Sequence, residues 1–362
     1  MAEKYRFEYS VSALLIFIHC LVVGCEAQSP WTCDISKGKW VADSKLPLYT
    51  GSSCPYIRTS QNCLKQGRPD MSFQKYRWQP RTCSVKRLSP RGLAELFRGK
   101  LVLVFGDSLS KNFAASLQCV LHAADPTVKA YRLAQKKTAE WGVEFPAYGL
   151  RLVSMFSNWL NNATALPDRN GIEQHRIDLD GLDQRIKDLL PIADVVIFQA
   201  TAWWMPPINR WYVGGKEVQM KATAAYERGL TTLRDYVAGS RSGFKGRAVV
   251  MGVSPPHYNV PVAGVKKGSC KVNAMLSSAQ TTTVRSGDNS SSELRAIQQR
   301  VLAGSALAYV DVKPMSDWRP DAHIQNWSVK GGAPDTKKND CLHWCEGGVT
   351  DAWAEMLFNT LQ

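Results

Sequence analysis

From about residue 88 onward the chain alternates short, wholly apolar runs with longer stretches whose apolar positions recur at helical spacing. The run LVLVF at 101–105 predicts a buried strand, and the segment from Leu109 to Leu121 a helix. The pairing repeats. A helical stretch Leu182–Leu190 precedes DVVIF at 194–198, Tyr226–Val237 precedes RAVVMGV at 247–253, and Ser292–Val301 precedes ALAYVDV at 306–312. Strands that are apolar on both faces and separated by helices predict a parallel sheet covered on both sides, the doubly wound α/β class. A Ser/Thr/Gly-rich stretch near 277–292 predicts a surface loop, and no internal repeat is visible.

The first 84 residues follow a different pattern. Lys4 and Arg6 precede an apolar stretch from Val11 to Gly24, and Cys25-Glu26-Ala27 offers small residues at the cleavage positions. A helix over this stretch spans roughly 21 Å, short of the ~30 Å core of a bilayer. Residues 1–27 therefore read as a signal peptide, with a short signal anchor as the alternative. Residues 28–84 hold four cysteines amid turns and aromatics with little helical periodicity, and so predict a small stapled module. The remainder, 85–362, is the main domain.

Cysteine usage agrees with export. Eight cysteines remain beyond residue 27, an even number that reads as four disulfides in an oxidising compartment. No spacing resembles a zinc ribbon, and no Cys/His cluster points to a metal. Sequons at Asn162, Asn289 and Asn326 are compatible with glycosylation. The formal charge is +14, from 45 Lys and Arg against 31 Asp and Glu. Such a balance suits an acidic partner or simply a solvated basic surface. Nothing resembles a nucleic-acid motif.

Two local features carry chemistry. Gly106-Asp107-Ser108-Leu109-Ser110 closes the first buried strand and opens a helix, where open α/β sheets build their sites. Ser108 there is lifted out of the sheet, with its N–H near a helix N-terminus that favours a developing oxyanion. The bland alternative is that Asp107 or Ser108 only caps the helix. The second feature is Asp340-Cys341-Leu342-His343-Trp344-Cys345. A serine nucleophile needs a base with a partner that fixes its tautomer, and Asp340 can reach His343 across one turn. The alternative there is a surface histidine beside a disulfide. His122 and His175 sit in polar settings. His257 follows a strand end near the cleft, and His323 is either structural or groove-lining.

Several ordered motifs together resemble the trichome-birefringence-like family of plant polysaccharide O-acetyltransferases. They are CDISKGKWV (33–41), PLYTGSSCPYIR (47–58), NCLKQGRPD (62–70), YRWQP (76–80), GDSLSKN (106–112) and DCLHWCEGGVTDAWAEML (340–357). The resemblance implies an SGNH-hydrolase-like three-layer α/β/α sandwich with a parallel sheet, carrying a small disulfide-rich N-terminal subdomain. It implies Ser108 as nucleophile, His343 as base and Asp340 as its orienter. It also implies the pairings Cys33–Cys83, Cys54–Cys119, Cys63–Cys345 and Cys270–Cys341, which spacing alone leaves open. Gly106, Asp107, Asn112, Gln199, Trp203, Trp204 and His257 become candidates for oxyanion or substrate contact. Where the family has an Asn-Thr pair before two tryptophans, this chain has Gln199-Ala200-Thr201-Ala202, which puts the oxyanion donor in question. MGVSPPHYN (251–259) is similar to a branch linked with pectin-type walls.

The activity this implies is transfer of an acetyl group to a cell-wall polysaccharide through an acetyl-enzyme. Acceptors of pectin, xylan or mannan type are all open, and no bound cofactor is expected beyond an acetyl donor. An acetylesterase with the same triad and a non-catalytic wall-binding protein are the alternatives. The expected location is the Golgi lumen or the cell wall.

Overall fold

The computed structural model describes residues 33–362 apart from 137, 170–171, 328, 331–332 and 335–338. The expected targeting segment 1–27 lies outside the described residues. Two short antiparallel strands open the described chain, β1 (Gly38–Ala42) and β2 (Tyr76–Pro80), with Trp40 opposite Trp78. This pair is too small to bury its own apolar side chains, and it leans on the main domain. The Trp40 indole donates to the Met315 carbonyl at 2.9 Å, and the fully buried Arg319 guanidinium lies over the Trp40 ring. Residues Asp34–Gln362 accordingly form one compact unit.

Helix α1 (Pro90–Leu96) leads into β3 (Leu101–Gly106) and then α2 (Ser108–Ala124). Next come β4 (Lys129–Gln135), β5 (Thr138–Phe145), β6 (Leu150–Phe156), β7 (Asn161–Arg169) and β8 (Ile172–Leu182). Helix α3 (Gln184–Leu189) precedes β9 (Val195–Gln199), followed by β10 (Asn209–Val213), β11 (Lys216–Val218) and α4 (Ala222–Ala238). The last third runs β12 (Arg247–Met251), α5 (Ser278–Gly287), α6 (Asn289–Leu302), β13 (Ala308–Val310) and α7 (Lys313–Ser316). It ends with β14 (His323–Gln325), β15 (Asp340–Trp344) and α8 (Val349–Thr360).

The central sheet has the order β13-β12-β9-β3-β6-β5-β4. Its first five strands are mutually parallel; apolar runs predict four of them, β13, β12, β9 and β3, while β6 was not expected, and β5 and β4 extend the sheet as an antiparallel wing. Every residue of β3 and β9 is buried, because helices cover both faces. Leu101, Leu103 and Phe105 join Val196, Phe198 and Val250 in one cluster with α4 and α6. The intervening Val102 and Val104 point to the other face, where α2 and α8 pack. A satellite sheet, β11-β10-β8-β7, was not expected.

The stretch 277–292 corrects the expectation of a loop, because it forms α5 and the start of α6. Ser277 and Gln280 make a reciprocal capping box. The hydroxyls of Thr281, Thr282 and Thr283 bond to the carbonyls of Ser277, Ser278 and Ala279. Side chains that compete with a helix elsewhere are satisfied inside this one.

Candidate active site

The chain moves from β3 to β6 on one side of the sheet and returns to β9 on the other, so the crevice beyond β3 and β9 is the switch point of the fold. At that point β3 and β9 approach so closely that a Cβ on Gly106 would stand 1.7 Å from the Gln199 carbonyl oxygen. Only glycine fits. Two residues later Ser108 opens α2, half-buried and at the mouth of the crevice.

Asp107 is fully buried between them. One carboxylate oxygen accepts from Leu109 N at 2.9 Å and caps α2; the other accepts from Thr201 N and Ala202 N, both at 2.9 Å. Burial raises its pKa against the pull of these amides. The cap of α2 is therefore made by the Asp107 side chain and not by that of Ser108.

Opposite Ser108 stands β15, paired antiparallel with β14. His343 Nε2 lies 2.7 Å from Ser108 Oγ, and His343 Nδ1 lies 2.9 Å from Asp340 Oδ2. The other Asp340 oxygen accepts from Leu342 N at 3.1 Å and His343 N at 2.9 Å, so the carboxylate fixes both the ring and the main chain. Burial opposes ionisation of Asp340, but the His343 ring and these amides outweigh it and bring its pKa down to about 2. An ionised Asp340 makes Nδ1 the protonated nitrogen of neutral His343, leaving Nε2 free to accept from the serine hydroxyl. His343 remains about one quarter exposed, so the line opens to solvent.

Covalent bonds hold this strand on both sides of His343. Cys341 is joined to Cys270 and Cys345 to Cys63, while Cys54 ties the N-terminal region to Cys119 on α2. Cys33 and Cys83 are also disulfide-bonded.

The remaining candidates separate by burial. Asn112 is a fully buried staple between α2 and β15. It accepts from Trp344 N at 2.8 Å and donates to Glu346 Oε1 at 2.6 Å, which corrects the expectation of substrate contact. Asp107 and Gln199 are corrected on the same ground; the Gln199 amide faces the Gly252 carbonyl at 3.4 Å. Trp204 is core, stacked on Trp211 and edge-on to Tyr226. Trp203 is half-buried beside Trp159. His257 is almost wholly buried against His323, where it lines the inner side of the cavity described below. His122 packs on Tyr56 and His175 on Trp159, neither with a contact to Ser108, Asp340 or His343. The sequon residues Asn162 and Asn289 are exposed, and Asn326 is half-buried.

Residue-type reasoning passed over two others. Lys111, one turn along α2 from Ser108, holds its ammonium 4.4 Å from the exposed Phe156 ring, and burial followed by Arg58 lowers its pKa. Tyr258 sits at the opposite wall, where burial and then the Asp340 charge raise its phenol. Beside it opens a cavity of about 520 Å³ lined by Tyr258, Asn259, Lys266 and Lys267 among others. The signal for Lys111 was its place in GDSLSK; for Tyr258, its place directly after His257. Among the described residues, no cluster of three or more His, Cys, Asp or Glu side chains is arranged to hold a metal ion, and no helix is long and apolar enough to cross a membrane.

Compared with known proteins, residues 85–360 match the model of a GDSL/SGNH-like acyl-esterase family found in Pmr5 and Cas1p, and residues 31–84 match the PMR5 N-terminal domain. The chain is 33% identical over 340 residues to trichome birefringence-like 42 of Arabidopsis thaliana, covering 91% of this chain and 89% of that one. It is 30% identical over 337 residues to trichome birefringence-like 38 of the same plant, covering 91% and 84%. A protein of Oryza sativa subsp. japonica named "Probable xylan O-acetyltransferase 11" is 29% identical over 365 residues, covering 91% and 87%.

Proposed function

The chain belongs to the GDSL/SGNH-like acyl-esterase family found in Pmr5 and Cas1p, and from that membership we propose that it is a serine-dependent O-acetyltransferase of plant cell-wall polysaccharides. The observation that carries this reading is the continuous line from Asp340 through His343 to Ser108, with contacts of 2.9 and 2.7 Å. His343 Nε2 takes the Ser108 proton as Oγ attacks the carbonyl carbon of an acetyl donor. The donor's leaving group departs with that proton, and the acetyl group stays on Ser108. A sugar hydroxyl then gives its proton to His343 and attacks the acetyl carbon, and Oγ leaves with the proton. The Ser108 amide at the start of α2 is the donor best placed for the oxyanion, since Leu109, Thr201 and Ala202 amides are spent on Asp107.

The acceptor is a polysaccharide of pectin type. The net charge of +14 supports it, as do Lys266 and Lys267 beside Tyr258 in a cavity adjoining the Asp340 wall. The disulfides suit the lumen of the secretory pathway or the wall.

The test is mass spectrometry of unacetylated and acetylated pectin, xylan and mannan oligosaccharides incubated with an acetyl donor and either the wild type or Ser108→Ala. Acetyl gain on pectin fragments, lost in Ser108→Ala by about 10³-fold or more, is the expected result. Gain on xylan or mannan alone would overturn the acceptor. Acetyl loss alone would make the protein an esterase, and full activity in Ser108→Ala would remove the triad.

A further inference from the structure

Behind the triad lies a second line of imidazoles. His257 Nε2 is 3.2 Å from the Asp317 carbonyl, His257 Nδ1 is 2.7 Å from His323 Nε2, and His323 Nδ1 is 2.9 Å from the carbonyl of His343 itself. Both rings are fully buried, and Trp344 stacks on His323 at 3.9 Å. The His257 main chain joins the same strand, donating its N–H to the Cys341 carbonyl at 2.8 Å.

Counting protons exposes a conflict. Each end of the line is a carbonyl, which only accepts, and the middle contact needs one proton between two nitrogens. Three contacts therefore require three ring protons. Two neutral imidazoles carry two. A neutral pair must leave one contact with lone pairs facing each other, and the longest, between His257 and Asp317, is the one left empty.

We propose that His257 and His323 are positioning residues for His343, holding its main chain through a two-proton line that takes up a third proton on acidification. In the neutral pair His323 donates from Nδ1 to the His343 carbonyl and accepts at Nε2 from His257 Nδ1. The added proton goes to His257 Nε2 and closes the contact to Asp317. The pair then carries one positive charge shared between the rings.

The surroundings set when this happens. Burial disfavours the charge at both rings. At His257 the carboxylates of Asp317, beyond α7, and Asp288, which caps α6, favour it, while Lys313 on α7 opposes it. At His323 Asp340 on β15 favours it, and His257 and His343 oppose it when charged. Asp317 is itself held by Lys313 at 2.8 Å and by Arg285 of α5 at 2.8 Å, which reduces the field it can supply. Uptake thus falls below the ordinary histidine range, and a proton on the His343 ring drives it lower still.

The role assigned to His343 rests on the proposed triad; the proton line does not, so the two are tested separately. In the full chain labelled with ¹⁵N-histidine, ring shifts followed against pH read tautomers without any activity. Six histidines in the sequence keep the spectrum assignable by substitution. The expected result is Nδ1–H on both rings at neutral pH and one joint titration at acid pH. An Nε2–H tautomer on His323, or two independent titrations at ordinary histidine pH, would overturn the line. For positioning, the rate at which a fluorophosphonate labels Ser108 is compared in two variants. His323→Asn places an amide N–H where Nδ1 was, and His323→Gln places one where Nε2 was. Retained labelling in His323→Asn with a roughly tenfold loss in His323→Gln, about one hydrogen bond's worth, is expected. Equal rates in both and in wild type would overturn positioning. Failure of Ser108→Ala to abolish labelling would instead strike the triad, leaving the ring shifts to decide the pair.

Discussion

Ser108 and His343 reach the same point by opposite means. Ser108 is delivered by β3, whose six residues are all buried and all held by packing within a parallel sheet. His343 is delivered by β15, which lies outside that sheet, pairs among the described residues only with the three-residue β14, and is pinned by two disulfides, a carboxylate and buried imidazoles. Packing is cooperative and tolerates small adjustments shared over many contacts. Cross-links and hydrogen bonds act at points. The Ser108 side should therefore fail with the whole fold, and the His343 side should fail locally.

The sharpest way to break this contrast is at Gly106. Gly106→Ala puts a methyl group 1.7 Å from the Gln199 carbonyl oxygen, forcing β3 and β9 apart. A loss of about 3 kcal/mol is expected, seen as a lower denaturation midpoint with one cooperative transition. A local loss of activity with an unchanged midpoint would contradict the idea that this side is held by the sheet. On the His343 side, the double variant Cys270→Ser with Cys341→Ser opens a 71-residue separation. It should cost about 2–4 kcal/mol, the usual range for a bridge. Faster amide exchange should be confined to β14, β15 and the 256–270 loop. Exchange that rises equally in β3 and β9 would show the two sides to be one unit.

A further test concerns the joint between them. Glu346, just beyond β15, accepts from Asn112 of α2, and Asp351 of α8 is bonded by Tyr49 and by Ser116 of α2. Burial, and then the Asp351 charge, pushes Glu346 well up; burial lifts Asp351 to about 6. Both shifts are upward, so the folded state holds these protons more tightly than the unfolded chain. The stabilisation from the Asp351 proton is complete below about pH 4 and is lost as pH rises through about 6, by up to about 3 kcal/mol. Denaturant midpoints measured across that window should fall with pH, and Asp351→Asn should flatten the slope. An unchanged slope in the variant would place the titration elsewhere.

Much of this was legible in sequence, for physical reasons that differ by element. The runs at 101–105, 194–198 and 247–253 are apolar on both faces because they are central, so they announced themselves. Strands β4, β5, β7 and β8 face solvent on at least one side, and runs such as KAYRLAQ and IEQHRIDLDGL mix charge into their pattern. Their mixed character hid the antiparallel wing and the satellite sheet. Ser108, His343 and Asp340 could be singled out as partners because few residue types pair a hydroxyl, an imidazole and a carboxylate in one line, and the structure brings them within 2.7 and 2.9 Å contacts. The burial of Asn112, Gln199 and His257 could not, since a polar letter carries no mark of the partner that satisfies it. Helix α5 was missed because its threonines bond to their own backbone, a compensation composition does not display.

The grip of Asp107 on residues 201 and 202 has a consequence for how this site can change over generations. It is made to main-chain amides, which every residue but proline supplies. The loop that borders Ser108 is thus anchored by its backbone. Replacing Thr201 or Ala202 by any residue but proline leaves this grip on Asp107 in place. What these two positions must supply is an N–H, not a particular side chain.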